Sequence, residues 1–330
     1  MRVLRNTLAA ALVVVAAIAG WLAWFATHPV ELPATPFDFT VHTGASLKGV
    51  SRQLAREGLF REGESFWILA RLLGKGRTIQ AGTYRLDHPI TPLELLEKMR
   101  RGDVVLVEML FVEGTTLRQW LAQLAAEPRV RHAAAGKGDA DLRAALEIAE
   151  PSAEGWFFPD TYRFAPGVSD LEILKRAHGA MKKRLAEAWE SKDAALPLRT
   201  PYEALILASI IEKETAVPEE RPLVSSVFVN RLRRGMRLQT DPTVIYGMGE
   251  SYDGNIRKKD LTADTPWNTY TRDGLPPTPI AMPGVGSLRA AAQPAKSDYL
   301  YFVSRGDGTH EFSRSLEEHN RAVAKYQLHR

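Results

Sequence analysis

Two acidic side chains, Glu212 and Glu214, close an otherwise apolar stretch, Thr200–Glu219 (TPYEALILASIIEKETAVPE), and they are the groups best placed to move a proton. At about 100° per residue, Glu214 continues the stripe formed by Leu207, Ile210 and Ile211. Glu212 falls roughly 160° away, beside Leu205 and Ala208, and Lys213 points to the open side. A carboxyl on a buried helix face is costly to ionise unless it is paired, so burial raises its pKa toward the range of a working general acid. Two readings follow. Glu214 is a protonated acid lining a cleft, with Glu212 as runner-up, or it is a satisfied buried acid paired with Arg221 or Arg231.

Other chemistries are limited by composition. The 330 residues contain no cysteine, which excludes disulfides, thiolate zinc sites and cysteine nucleophiles. The histidines have no HExxH-like spacing, so neither a metal nor another cofactor is expected. The net charge of +4 suits a nearby anionic polymer or membrane surface but is no nucleic-acid signature. With 25% charged residues the chain reads as globular throughout, and its length allows two or three domains.

The elements that must position these acids can be read locally. Thr200 is a helix N-cap followed by Pro201 and, three residues on, Glu203; Val217-Pro218 is the expected stop. Upstream, Leu8–Ala26 is long and apolar enough to span a bilayer, with Arg2 and Arg5 before it and Trp21, Trp24 and Phe25 at its far end. Arg-led apolar segments also open cleaved signal peptides, but Trp24-Phe25 is a poor cleavage site, so we read an uncleaved single-pass anchor with a cytoplasmic N-terminus and everything after residue 30 exported.

Phe37–Val41 alternates as a strand, His42-Thr43-Gly44 turns, Leu47–Arg56 and Ser65–Leu73 read as helices, Gly82–Leu86 as a strand, and Thr91 caps a helix to Arg100. Strand, helix, helix, strand is the order of a LysM-like carbohydrate-binding module. FVEGTTLRQWLAQL (Phe111–Leu124) echoes FTVHTGASLKGVSRQL (Phe39–Leu54) as a repeated strand-turn-helix unit. Glu154–Tyr162 is dense in aromatics, which more often pack a domain junction than bind sugar. Asp170–Trp189 and Arg221–Arg233 read as amphipathic helices, Tyr299–Val303 as a strand, and Ser315–Tyr326 as a closing helix. Arg237–Gly249 and Thr265–Gly284 read as loops rich in hydrogen-bonding side chains. The expected architecture is α+β: 1–30 cytoplasmic tip and transmembrane anchor, 31–105 LysM-like domain, 106–199 intermediate region and linker, and 200–330 a catalytic α+β domain around the buried glutamate helix.

ASIIEKET (Ala208–Thr215), VFVNRL (Val227–Leu232), MRLQTDPTVIYGMG (Met236–Gly249), NTYTRDGLPPTPIAMPG (Asn268–Gly284) and YLYFV (Tyr299–Val303) stand in this order, preceded by AGTYRL (Ala81–Leu86) and EGWFFPDTY (Glu154–Tyr162). On these motifs the sequence resembles the endolytic murein transglycosylases, the MltG or YceG-like family, over nearly its whole length. That resemblance places the single catalytic acid on the second glutamate of the EKE triplet, Glu214. It implies an inner-membrane-anchored periplasmic enzyme that cuts peptidoglycan strands internally between N-acetylmuramic acid and N-acetylglucosamine, leaving a 1,6-anhydromuramic end. It also implies termination of growing strands beside peptidoglycan synthases (penicillin-binding proteins). Charge developing on the sugar ring needs oxygens nearby, and Gln239, Asp241, Asn268 and Tyr270 are the candidate substrate-binding residues. Two alternatives remain: a non-catalytic peptidoglycan-binding scaffold for a synthase, and a water-using muramidase with Asp241 as second acid.

Overall fold

The computed structural model describes residues 2–42, 44–74 and 79–328; Thr43, in the expected turn, lies outside them. The chain is a mixed α+β protein, mostly helical, with three two-stranded sheets among the described residues. It divides into two compact units, residues 1–107 with 163–167 and residues 108–162 with 168–330.

The first unit opens with α1 (Arg2–Thr27), of which Arg5–Thr27 is long and apolar enough to cross a membrane. Then follow β1 (Phe37–Val41), α2 (Leu47–Arg56), α3 (Glu64–Leu72), β2 (Gly82–Leu86) and α4 (Pro92–Arg101). β1 and β2 pair antiparallel with Phe39 opposite Tyr84, and their inward side chains meet Val50, Leu54, Phe66, Leu95, Leu96 and Met99 in one core. The helix starts are chemically specified: Ser46 accepts from the Gly49 amide, and Thr91 forms a reciprocal capping box with Glu94.

The remaining elements are β3 (Val107–Leu110), α5 (Leu117–Ala126), α6 (Asp139–Leu146), β4 (Thr161–Phe164), α7 (Asp170–Glu190), α8 (Pro201–Glu214), α9 (Arg221–Arg233), α10 (Asp241–Met248), α11 (Lys258–Thr262), α12 (Val285–Ala292), β5 (Tyr301–Ser304), β6 (His310–Ser313) and α13 (Leu316–Tyr326), all in the second unit except Val107 of β3 and Arg163 and Phe164 of β4. β3 pairs with β4, and β5 with β6. The aromatic motif packs inward: Trp156, Phe157 and Tyr162 are buried, and Trp120 lies within ring contact of Phe111, Phe157 and Tyr162. Gly155 is required there, because its φ is +83° and a Cβ would stand 2.5 Å from the Pro279 side chain.

α8 is the centre of this unit. The Thr200 hydroxyl accepts from the Glu203 amide at 3.2 Å, as the cap signature predicts. The one-sided apolar stripe expected of this helix is not what forms. Every residue from Ala204 to Ile211 is buried, because α7, α9, α10 and α12 pack around it. The helix also stops earlier than the expected Val217-Pro218. Glu214 is its last residue, Thr215 turns to extended backbone, and Pro218 opens a single 3-10 turn, Pro218–Glu220. A second difference is α10, which occupies part of the segment read as loop. Thr240 sits at its N-cap position and Pro242 lies in its first turn, a helix start that also resembles turn chemistry.

Ile210 has no exposed surface. Its replacement by Ala is expected to cost about 2–5 kcal/mol through lost burial and the cavity left behind. Leu110→Ala, at a residue 59% exposed, should change stability by about 0.5 kcal/mol or less. The denaturant midpoints of the two variants, at unchanged m, check the contrast.

Candidate active site

Glu214 ends α8 at the wall of a cavity of about 490 Å3, which is also lined by Arg231, Gln239, Asp241, Tyr270, Tyr301 and His319. The carboxyl is enclosed by protein on its inner side, while part of the residue stays open to the cavity. Burial is the main influence on it and pushes its pKa up to about 7. A hydroxyl hydrogen bond from Thr240 opposes this by favouring the carboxylate, the neighbouring Asp241 reinforces the rise, and His310 and Arg231 weakly oppose it. The negative end of the α8 dipole lies here as well, where it disfavours a second negative charge.

Among the described residues no arginine forms an ion pair with Glu214. The two arginines offered as partners are committed elsewhere. Arg231 gives its Nε–H to the Leu300 carbonyl at 2.7 Å and an Nη1–H to the Leu238 carbonyl at 2.8 Å, beneath the Tyr301 ring. Arg221 meets Glu212 at 3.3 Å. Glu212 also accepts the Gly284 amide at 2.8 Å, and its side chain is 5% exposed. So the runner-up acid is the paired one.

Thr240 is placed by a small hydroxyl network. Its amide donates to Thr269 Oγ1 at 3.1 Å, Thr243 donates to the Thr240 carbonyl at 2.7 Å, and the Thr243 and Thr269 hydroxyls meet at 2.9 Å. Gln239 precedes it with φ +50°, a left-handed conformation unusual for a side-chain-bearing residue, held by its amide bonding to the Thr269 carbonyl at 3.1 Å. The Gln239 side chain accepts from Arg231 at 3.3 Å. Tyr270 donates its hydroxyl to Asp241 Oδ1 at 2.6 Å. Burial is the first cause holding the Tyr270 phenol well above its usual range, with the carboxylate of Asp241 adding to it.

Of the four candidate binding residues, Gln239, Asp241 and Tyr270 therefore reach the cavity with Glu214. Asn268 does not. It is fully buried and spends its amide group on the carbonyls of Asp260, Leu261 and Ala263 and on the Tyr270 amide, shaping the loop that carries Tyr270. Thr240 touches Glu214's chemistry without having been named as a site residue from sequence, and the Thr-Asp-Pro helix start at 240–242 is the available signal for it; Arg231, named as a candidate ion-pair partner, instead acts on Glu214 only through its nearby charge.

Comparison with known proteins covers most of the chain. The YceG-like family profile matches residues 39–325. A protein of Bacillus subtilis (strain 168) named endolytic murein transglycosylase is 31% identical over 317 residues, covering 91% of this chain and 87% of its own. A protein of the same name from Streptococcus pneumoniae serotype 2 (strain D39) is 28% identical over 320 residues, covering 86% of this chain and 57% of its own. The crystal structure of a yceG-like protein from Listeria monocytogenes superposes with a TM-score of 0.57 at 30% identity, over 87% of this chain and 98% of that one.

Two outcomes follow from the carboxyl's surroundings. Thr240→Val removes a donor that favours the charged form, so Glu214 should hold its proton to higher pH. The alkaline limb of the kcat/KM profile should then move upward by up to about one unit. Stability moves as well. The folded chain keeps at about 7 a proton that the unfolded chain releases near 4.5, so Glu214 withdraws stability as pH rises through that window. Glu214→Gln removes the loss, and its Tm advantage over the parent should be larger near pH 8 than near pH 4.

Proposed function

The chain belongs to the YceG-like family, and from that membership and the surroundings of Glu214 we infer that it is an endolytic murein transglycosylase in which Glu214 alone transfers the proton. The observation that carries the assignment is the contrast at the end of α8: Glu212 is ion-paired, and Glu214 has no ion-pair partner among the described residues and stands at a cavity wall with its pKa pushed up to about 7.

In the first step, protonated Glu214 gives its proton to the glycosidic oxygen as the C1–O bond of the muramic residue breaks. Positive charge then spreads over the sugar ring, and the oxygens of Gln239, Asp241 and Tyr270 stand around the cavity to meet it. The new carboxylate is held by the Thr240 hydroxyl, with Arg231 and His310 adding favourable charge. In the second step the muramic 6-hydroxyl attacks C1, its proton passes to Glu214, and the acid is restored. The nucleophile belongs to the substrate, so its effective concentration is high and no water needs to be held. The products are a strand with a new 4-hydroxyl and a strand with a 1,6-anhydro end. A hydrolase would instead use a second carboxylate as base or nucleophile. Asp241 is the available one, and its Oδ1 accepts the Tyr270 hydroxyl.

The remaining assignments belong to the same reading. α1 anchors the enzyme in the inner membrane with its N-terminus in the cytoplasm, and the rest of the chain works in the periplasm beside the synthases that extend the strands. The β1-α2-α3-β2 arrangement is a LysM-like module for peptidoglycan. Residues 31–105, 106–199 and 200–330 serve as that module, a connecting region and the catalytic region.

Digestion of purified glycan strands with mass analysis of the fragments tests this. Products should be lighter by one water than hydrolytic fragments, and Glu214→Gln should lower the rate by about 10²–10⁴. Reducing-end muramic acid would remove the transglycosylase chemistry. Loss of activity in Glu212→Gln with activity kept in Glu214→Gln would move the acid to Glu212.

A further inference from the structure

Cleavage inside a strand requires sugar residues to be held on both sides of the broken bond, and the cavity over Glu214 has a neighbour lined by the residues next to its own in the chain. This second cavity, of about 450 Å3, is lined by Arg118, Glu154, Lys213, Tyr246, Tyr252 and Trp267, among others. It shares two backbone steps with the first. Lys213 precedes Glu214 at the end of α8, and Pro242, also in its wall, follows Asp241 at the start of α10.

We infer that this second opening continues the substrate groove, seating an N-acetylated sugar of the same strand against Tyr252 and Trp267 with the carboxylates of its peptide stem turned toward Lys213 and Arg118. The inference rests on the glycan reading of the Glu214 cavity. Its chemistry is of the right kind. Aromatic rings with one polar end suit a sugar, which presents apolar C–H faces and a hydroxyl rim. Trp267 is fixed by its indole N–H donating to Thr278 at 2.9 Å and by an edge contact with Tyr246, while Trp267, Tyr246 and Tyr252 all keep part of their surface open.

The floor is polar and built. Buried Glu154 accepts the Leu117 amide at 3.0 Å and the Tyr246 hydroxyl at 3.2 Å, which fixes both the start of α5 and the Tyr246 ring. The rim is cationic. Lys213 is exposed and forms no ion pair among the described residues; its ammonium donates to the Gly114 carbonyl at 3.1 Å. Among the described residues Arg118 forms one ion pair, with Glu250 at 2.9 Å, in an exposed pair that a stem carboxylate can displace.

The test uses the full chain in detergent carrying Glu214→Gln, titrated calorimetrically with purified glycan strands, with and without their peptide stems. In that background Tyr252→Ala should weaken both kinds of strand about tenfold, and Tyr252→Phe should restore binding by returning the ring. Lys213→Gln should weaken stem-bearing strands about tenfold and bare strands less than about twofold. Thermal melts matching the parent establish that the variants fold. Affinities within about twofold of the parent for Tyr252→Ala and Lys213→Gln on both strands would overturn the second subsite while leaving the Glu214 cavity intact. A Glu214→Gln chain that binds neither strand would overturn the glycan reading itself, and this inference with it.

Discussion

The site depends on a carboxyl group that has been taken out of water without being given a cation. Glu214 reaches that condition because the helix carrying it is buried on all sides from Ala204 to Ile211, so its last turn emerges from packed protein rather than from a surface. Desolvation and the helix dipole both oppose the charge, and one hydroxyl from Thr240 offsets part of that cost. Two residues earlier the same helix treats a glutamate in the opposite way. Glu212 meets a guanidinium and a backbone amide, and Glu113 stands on the same arginine at 3.7 Å. Two carboxylates in one turn are thereby given opposite surroundings, one held by a guanidinium and a backbone amide and the other left to a single hydroxyl.

The supporting elements are arranged around keeping Thr240 in place. The left-handed turn at Gln239 costs backbone energy, and it persists because Thr269 takes the amides of both Gln239 and Thr240. Asn268 gathers three carbonyls at the C-terminal end of α11 and fixes the amide of Tyr270, so the loop residue beside the cavity inherits its position from one that never reaches it. Glu220 does the same on the other side, accepting the His310 amide at 2.8 Å and meeting its ring at 2.7 Å.

Much of this was legible locally. The Thr200-Pro201 start, the Thr91 cap of α4 and the extents of α7, α9 and α13 follow from side chains a few residues apart, and the structure places them within a residue or two of expectation; the amphipathic reading of α9 does not hold, since Val224–Val229 are all buried. The stripe calculation chose Glu214 over Glu212, but its premise of one buried face does not hold, since four other helices determine the burial of α8. Which arginine pairs with which glutamate is likewise a tertiary fact; Arg221 and Arg231 look alike in sequence, yet one meets carboxylates and the other backbone carbonyls. α10 was misread because threonine, aspartate, proline and glycine carry turn chemistry and helix-start chemistry equally well. Asn268 was read as a ligand group for the same reason: a polar side chain in a loop looks identical whether it faces a substrate or satisfies buried carbonyls.

Under the proposed assignment of Glu214, the use of one carboxyl rather than two also has a physical logic in these surroundings. An acid that must return a proton within one catalytic cycle cannot be strongly biased to either form. A fixed ion pair would commit Glu214 to the carboxylate and remove its acid role, and a wholly apolar pocket would commit it to the neutral form and remove its base role. The arrangement found lies between the two, with burial and Asp241 favouring the proton and Thr240, His310 and Arg231 favouring its release. Such a balance suits a reaction whose nucleophile arrives with the substrate and hands its proton to the group that has just given one away. The charge on the protein returns to its starting value in each turnover, and no second carboxylate is required to carry it.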